Sequence, residues 1–173
     1  MNSTFSLRPW RPELAASTAR YADCHEVACW LRDVFPSPYT LADAEGYIRL
    51  CMEQEARQLC RAIVVDGEAV GSVGVFPGSD VYRRSAELGY WLGKPFWGRG
   101  IMTEAVGRIC REAFAQFDIV RIHAEPYAEN VGSRRVLEKN GFLLEGILHR
   151  SVCKNGRILD SCIYARLRET EEG

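Results

Sequence analysis

The chain has 173 residues, 22 Lys and Arg against 23 Asp and Glu, a net charge of −1 and 47% hydrophobic residues. At that length roughly 70% of the unfolded surface can be buried without metal or disulfide staples, so one domain spanning residues 1–173 is expected and a disordered chain is excluded. The balanced charge lacks the basic footprint of a dedicated nucleic-acid binder, and no stretch approaches the roughly 20 apolar residues of a membrane span.

The N-terminal residues Met1-Asn2-Ser3-Thr4-Phe5 lack the basic-then-apolar order of a signal peptide, so a cytoplasmic location is expected. Phe5 to Trp10 alternates as a short strand, and Arg11-Pro12-Glu13 opens the next element with Pro near a helix start. Leu14 to Leu31 is loosely helical until Pro36-Ser37-Pro38, and Asp43 to Arg57 returns to helical spacing. Leu59 to Val65 and Ala69 to Phe76 read as strands around an Asp66-Gly67 hairpin turn. Ser79 to Ser85 is a polar connection, and Glu87 to Leu92 is a third strand.

The clearest helix carries Met102, Ala105, Val106, Ile109, Cys110, Ala113, Phe114 and Phe117 at three- and four-residue spacing. Ile119 to Ala124 then reads as a buried strand. Strand, helix and strand in succession make a βαβ unit with its two strands parallel or nearly so. Asn130 to Asn140 is a second helix stopped by Gly141. Phe142 to Val152 and Leu159 to Leu167 form a closing hairpin turned at Asn155-Gly156, and Arg168 to Gly173 is a charged tail. The whole is a mixed α/β (α+β) domain.

Seven cysteines, an odd number, show no C-x-x-C pair or zinc-ribbon spacing. With His25, His123 and His149 as the only histidines, no metal is expected, and the cysteines read as small core hydrophobes.

Chemistry concentrates between Trp91 and Thr103, where a strand ends, a turn carries Gly98 and Gly100, and a long helix begins. Free N–H groups and the positive dipole end of such a helix suit a phosphate. Glycine lets a ligand approach the backbone without meeting a Cβ, although a plain turn needing positive φ would use the same residues. A P-loop fails because Gly98-Arg99-Gly100 stands where Gly-Lys-Ser/Thr is required. A dinucleotide fingerprint lacks its third Gly, Thr103 being there, although Glu125 would serve weakly as its acid. A pyrophosphate cradle built on successive backbone amides remains.

Three segments occur in register: Glu87-Leu88-Gly89-Tyr90-Trp91, Trp97-Gly98-Arg99-Gly100-Ile101-Met102-Thr103-Glu104-Ala105, and Asn130-Val131-Gly132-Ser133-Arg134-Arg135-Val136-Leu137-Glu138-Lys139-Asn140-Gly141-Phe142. Together they resemble the GNAT family of N-acetyltransferases, most closely its ribosomal-protein N-terminal acetyltransferase (RimJ/RimL-like) branch. The resemblance runs from Leu7-Arg8 to Tyr164-Ala165-Arg166. It implies a twisted mixed sheet of about seven strands flanked by about four helices and splayed between strands 4 and 5, with acetyl-CoA in the opening. Pantetheine would then pair with backbone at Tyr90, Trp91 and Leu92. The pyrophosphate would sit on the Trp97, Gly98, Arg99, Gly100, Ile101, Met102 and Thr103 segment. Asn130 would hydrogen-bond the pantetheine, and Ser133 would lie near the thioester sulfur.

The same resemblance implies direct attack of a primary amine on the thioester, with Glu87 as base and Ser133 as the group serving the leaving thiolate. The acceptor would be a protein N-terminus, flanked by the loop that holds Phe35 and Tyr39. Two departures stand out. Leu137 occupies the place of a catalytic Tyr that many members carry, and Ser151-Val152 replaces a Glu found in some ribosomal-protein acetyltransferases. A small-amine acetyltransferase and a non-catalytic acyl-CoA-binding module are therefore the alternative readings.

Trp10, Trp30 and Trp91 read as packing aromatics, His123 as a hydrogen-bonded strand residue, and Arg134 and Arg135 as either phosphate contacts or a solvated helix face. The closing hairpin also offers a surface for a homodimer. Charge is unevenly placed: Lys94 to Arg166 holds 12 basic and 8 acidic residues, net +4, whereas Trp10 to Gln58 holds 5 basic and 8 acidic, net −3. A polyphosphate ligand favours the first region and a cationic amine the second.

Overall fold

A computed structural model describes residues 4–169. The Met1–Ser3 start and the end of the charged tail lie outside the described residues.

Seven strands form one sheet: β1 (Ser6–Pro9), β2 (Leu59–Val65), β3 (Glu68–Pro77), β4 (Ser85–Leu92), β5 (Arg121–Ala124), β6 (Leu143–Lys154) and β7 (Arg157–Leu167). Their order across the sheet is β1-β2-β3-β4-β5-β7-β6. Only the β4–β5 pair is parallel, as the βαβ reading requires; every other pair is antiparallel. The α-helices are α1 (Ala15–Ala22), α2 (His25–Ala28), α3 (Leu41–Glu53), α4 (Ile101–Gln116) and α5 (Val131–Lys139).

Both predicted hairpins close through pairs of left-handed residues, Asp66 (φ 50°) with Gly67 (φ 84°) and Asn155 (φ 51°) with Gly156 (φ 74°). Positive φ at both central positions matches the strand twist and sets the register beside each turn; it then shifts between Ile63 and Val64 in β2–β3 and twice along β6, between Leu148 and Val152 and between Leu144 and Gly146. β6 and β7 run further toward their turn than the sequence pattern predicts.

Two helical expectations change. Leu14–Leu31 is divided, because Cys24 is extended and the Asp23 carboxylate accepts from the Tyr39 amide at 3.0 Å. The α3 helix begins earlier than Asp43, since Thr40 and Asp43 form a reciprocal capping box: Thr40 Oγ1 accepts from the Asp43 amide and the Asp43 carboxylate accepts from the Thr40 amide.

Alternation along β2 feeds two cores on opposite faces of the sheet. Ile63 joins Val70, Val73, Val106 and Ile109, with α4 as the cover. Ala62 and Val64 join Trp10, Ile48 and Trp91 under α1 and α3. Ile63, Val106 and Ile109 are fully buried, each contributing about 1.5–3 kcal/mol of hydrophobic stabilisation. Cys51, Cys60, Cys110 and Cys162 are buried as expected. Cys24 and Cys29 are half-buried and Cys153 is exposed, because they lie on loops or on the outer face of β6.

The feature that positions the site is a failure of pairing. β4 is bonded to β3 along its length, from Ala86 to Leu92, without a register shift. On its other side it pairs with β5 only at Ser85, Ala86 and Glu87. Beyond Glu87 the strands part, so the edge of Leu88–Leu92 has no strand partner there. The opening is a splay between intact strands, with no bulge in β4.

Candidate active site

The splay opens into a cleft of about 880 Å³. β4 supplies Glu87, Tyr90, Trp91 and Leu92 to its wall; the following turn and α4 supply Trp97, Gly98, Gly100, Ile101, Met102 and Thr103; α5 supplies Asn130 and Ser133. Three distant sequence segments thus meet in one cavity.

The α4 end presents free backbone donors to the cleft. Gly100 is the N-cap in the left-handed region (φ 76°) with no side-chain cap, and the first intrahelical bond comes from the Glu104 amide to the Gly100 carbonyl. The amides of Gly100, Ile101, Met102 and Thr103 precede that bond and have no intrahelical acceptor. A Cβ built on Gly98 (φ 73°) or Gly100 would meet nothing within 4 Å, so both glycines leave the approach to these amides open. Trp97 fixes the turn by donating Nε1–H to the Leu92 carbonyl at 2.7 Å. Arg99 lies outside the cleft wall, its guanidinium 5.3 Å over the Phe96 ring.

On the α5 side, the Asn130 carboxamide oxygen caps the helix by accepting from the Ser133 amide at 3.1 Å. Its Nδ2 has no partner among the described residues and is available to a ligand carbonyl. Ser133 Oγ lies 2.7 Å from the Tyr90 hydroxyl, which also donates to the Ser133 carbonyl at 3.2 Å. Burial pushes the Tyr90 phenol well above its ordinary pKa, outweighing the Ser133 hydrogen bond that favours the phenolate. Tyr90 therefore holds its proton and acts as a donor. This pairing is invisible in sequence, since the two residues are 43 positions apart.

Glu87 stands where β5 leaves β4, and the Arg32 guanidinium donates to its Oε1. Both side chains are substantially exposed, so the pair is exchangeable. Leu137 is fully buried and carries no chemistry at the position where a Tyr was sought.

Phe35 and Tyr39 do not line the cleft. Their rings are 4.8 Å apart, Phe35 packs edge-on against Trp91, and burial raises the Tyr39 phenol to about 12. Trp10 is a buried packing residue, Trp91 is buried and also reaches the cleft wall, and Trp30 lines the cleft. His123 lies 3.4 Å from Ser85 Oγ. Arg134 is taken up by the Tyr164 hydroxyl and the Ala128 carbonyl, while Arg135 reaches the cleft wall. Sequence reasoning passed over Arg32 and Tyr127, and gave Glu125 only a weak role in a rejected motif. All three reach the wall from irregular segments where no periodicity marks them.

Among the described residues no three His, Cys, Asp or Glu side chains gather as a metal site, and no helix is long and apolar enough to cross a membrane.

A splayed mixed sheet with an uncapped helix N-terminus at the opening places the chain among single-sheet α/β folds with a cleft between two parting parallel strands. A model of the acetyltransferase (GNAT) domain matches residues 5–143, and the chain belongs to that family. It is 39% identical over 107 residues to the probable N-acetyltransferase YjcK of Bacillus subtilis (strain 168), a match covering 62% of this chain and 59% of that protein. It is 28% identical over 142 residues to the ribosomal-protein-serine acetyltransferase of Escherichia coli (strain K12), covering 82% and 78% respectively. Among solved structures, Mycobacterium smegmatis RimJ in complex with CoA-disulfide superposes with a TM-score of 0.79 at 30% identity, covering 94% of this chain and 81% of that one.

Proposed function

We propose that the chain is an acetyl-CoA-dependent N-acetyltransferase acting on a primary amine, foremost the N-terminal amine of a protein, ribosomal proteins included. One observation carries this reading: the β4–β5 opening gathers an unpaired strand edge, an uncapped helix N-terminus, a carboxylate and a hydrogen-bonded hydroxyl pair in one cleft. The residues fit the donor. The β4 edge beyond Glu87 that turns away from β3, at Leu88 and Tyr90, suits the amides of pantetheine, Asn130 Nδ2 suits one of its carbonyls, and the Gly100–Thr103 amides suit a pyrophosphate.

Bound acetyl-CoA supplies the acyl group as an activated thioester. Glu87 takes a proton from the acceptor ammonium, directly or through water, after that ammonium replaces the Arg32 guanidinium on its carboxylate. Ser133 donates its hydroxyl hydrogen toward the departing sulfur. Turning the single Tyr90 O–H from the Ser133 carbonyl to Ser133 Oγ, 2.7 Å away, releases the serine hydrogen to point into the cleft. Holding amine and carbonyl together supplies much of the remaining rate.

The test is calorimetry with acetyl-CoA, followed by CoA release over N-terminal peptides and small amines. Saturable binding with peptide turnover is expected. No binding at millimolar acetyl-CoA overturns the proposal. Turnover confined to small amines reassigns the acceptor, and binding without any turnover makes the chain a CoA-binding module.

A further inference from the structure

The main cleft continues past the β4–β5 opening. Arg32, Glu125 and Tyr127 line both it and a second cleft of about 220 Å³ over the β6–β7 hairpin, whose wall also carries Asp33, Ser151 and Lys154.

Lys154 is unusual there. Its side chain is only 8% exposed, yet it lines a cavity. Its ammonium donates to Asp33 Oδ1 at 2.7 Å, and Asp33, at 80% exposure, is its one partner among the described residues. An ammonium has three donors, and burying it sacrifices hydration that a single, solvated carboxylate restores only in part. The remaining donors call for oxygen acceptors, and the small cleft is where a ligand can supply them.

Two further carboxylates lie nearer the opening, while Asp33 stays with Lys154. Glu87 faces the main cleft, and Glu125 stands on the wall shared by the two, its Oε1 accepting from Ser161 Oγ at 2.7 Å. Ser161 Oγ is in turn 2.7 Å from Ser151 Oγ. The track thus runs from Glu87, paired with Arg32, past Glu125 to the buried Lys154 ammonium, whose one carboxylate partner, Asp33, stands out in solvent. A polyamine would bring a second ammonium against Lys154. A peptide N-terminus brings carbonyl and carboxylate oxygens instead.

We infer that the small cleft holds the part of the acceptor beyond its amine, and that Lys154 selects a peptide N-terminus carrying an acidic residue in its first positions. This rests on the transferase reading above, but its test has an arm independent of catalysis. Two peptides of equal length and the same first residue, one acidic and one basic at the next positions, are compared with spermidine. Binding of each peptide to the protein is measured by calorimetry and acetyl transfer by CoA release, for wild type, Lys154→Met and Lys154→Arg.

Wild type should bind and acetylate the acidic peptide about tenfold better than the basic one, as one charge-assisted hydrogen bond allows. Spermidine should be the poorest acceptor. Lys154→Met should erase that preference through KM and peptide affinity, with unchanged or raised thermal stability because the charge it strands, Asp33, is already in water. Lys154→Arg should restore part of it. Equal use of spermidine and acidic peptide, or a preference that survives Lys154→Met in both measurements, overturns the inference. Lys154-dependent peptide binding without acetyl transfer would uphold the subsite while removing the transferase reading.

Discussion

The Tyr90–Ser133 contact gives the sharpest test of how the cleft works. Tyr90→Phe keeps the ring packed in the core and removes only the hydroxyl, with its 2.7 Å contact to Ser133 Oγ and its 3.2 Å bond to the Ser133 carbonyl. Ser133 is half-buried at the cleft, so water can reach the groups left behind, and the loss stays near the net worth of one hydrogen bond, about 1 kcal/mol. For a chain of this size that lowers Tm by about 2–4 °C. Without its fixed donor the serine hydroxyl is free to rotate, and turnover should fall about tenfold while acetyl-CoA affinity holds. Ser133→Ala should cost a similar factor. The discriminating quantity is the double variant, measured by steady-state CoA release. If Tyr90 acts through Ser133, the pair together is no worse than Ser133→Ala alone, a coupling of about 1 kcal/mol in the barrier. Strictly additive losses would refute the relay of orientation and leave Tyr90 as a packing residue.

Glu87→Gln should reduce turnover at neutral pH by about 10²-fold and flatten the acidic limb of the pH–rate profile, with acetyl-CoA affinity nearly unchanged; an unaltered profile removes Glu87 as the base. Gly100→Trp places a ring where a Cβ now meets open space, at a φ of 76°, so acetyl-CoA affinity measured by calorimetry should drop sharply. Unchanged affinity would mean that the glycine serves the turn alone. Lys94 donates to Glu26 at 2.6 Å, joining the turn before α4 to α2, and lowers the Glu26 carboxyl from 4.5 to about 2. A depressed carboxyl contributes stability that is present above pH 4.5 and lost as pH falls toward 2. Tm measured across that interval should therefore decline less steeply in Lys94→Met, and identical slopes would show that the pair contributes nothing.

The site's two halves have different origins in the chain. The half proposed for the anion is local: β4, its turn and the start of α4 are contiguous, so glycines at fixed offsets and an apolar helix stripe report it directly. The same locality made the hairpins readable, because Asp66-Gly67 and Asn155-Gly156 specify their own backbone angles. The parallel β4–β5 pairing also follows from strand, helix and strand in order. Where a bond from further along the chain intervened, as with the Tyr39 amide on Asp23, periodicity alone misjudged the helix.

The half proposed for the acceptor is tertiary. Arg32 comes from the segment after α2, Glu125 and Tyr127 from the loop after β5, and Lys154 from the end of β6; only the sheet order brings them to one wall. Phe35 and Tyr39 show the reverse, since their loop approaches the cleft while their rings turn into the core beside Trp91. By itself the sequence determined the mixed α/β elements, the glycine turn before α4 and the resemblance to a family, because each is written in spacing along the chain. Which carboxylate meets which cation, which hydroxyl touches Ser133 and where the sheet parts were decided by packing, because those depend on distances between residues that the spacing of neither one contains.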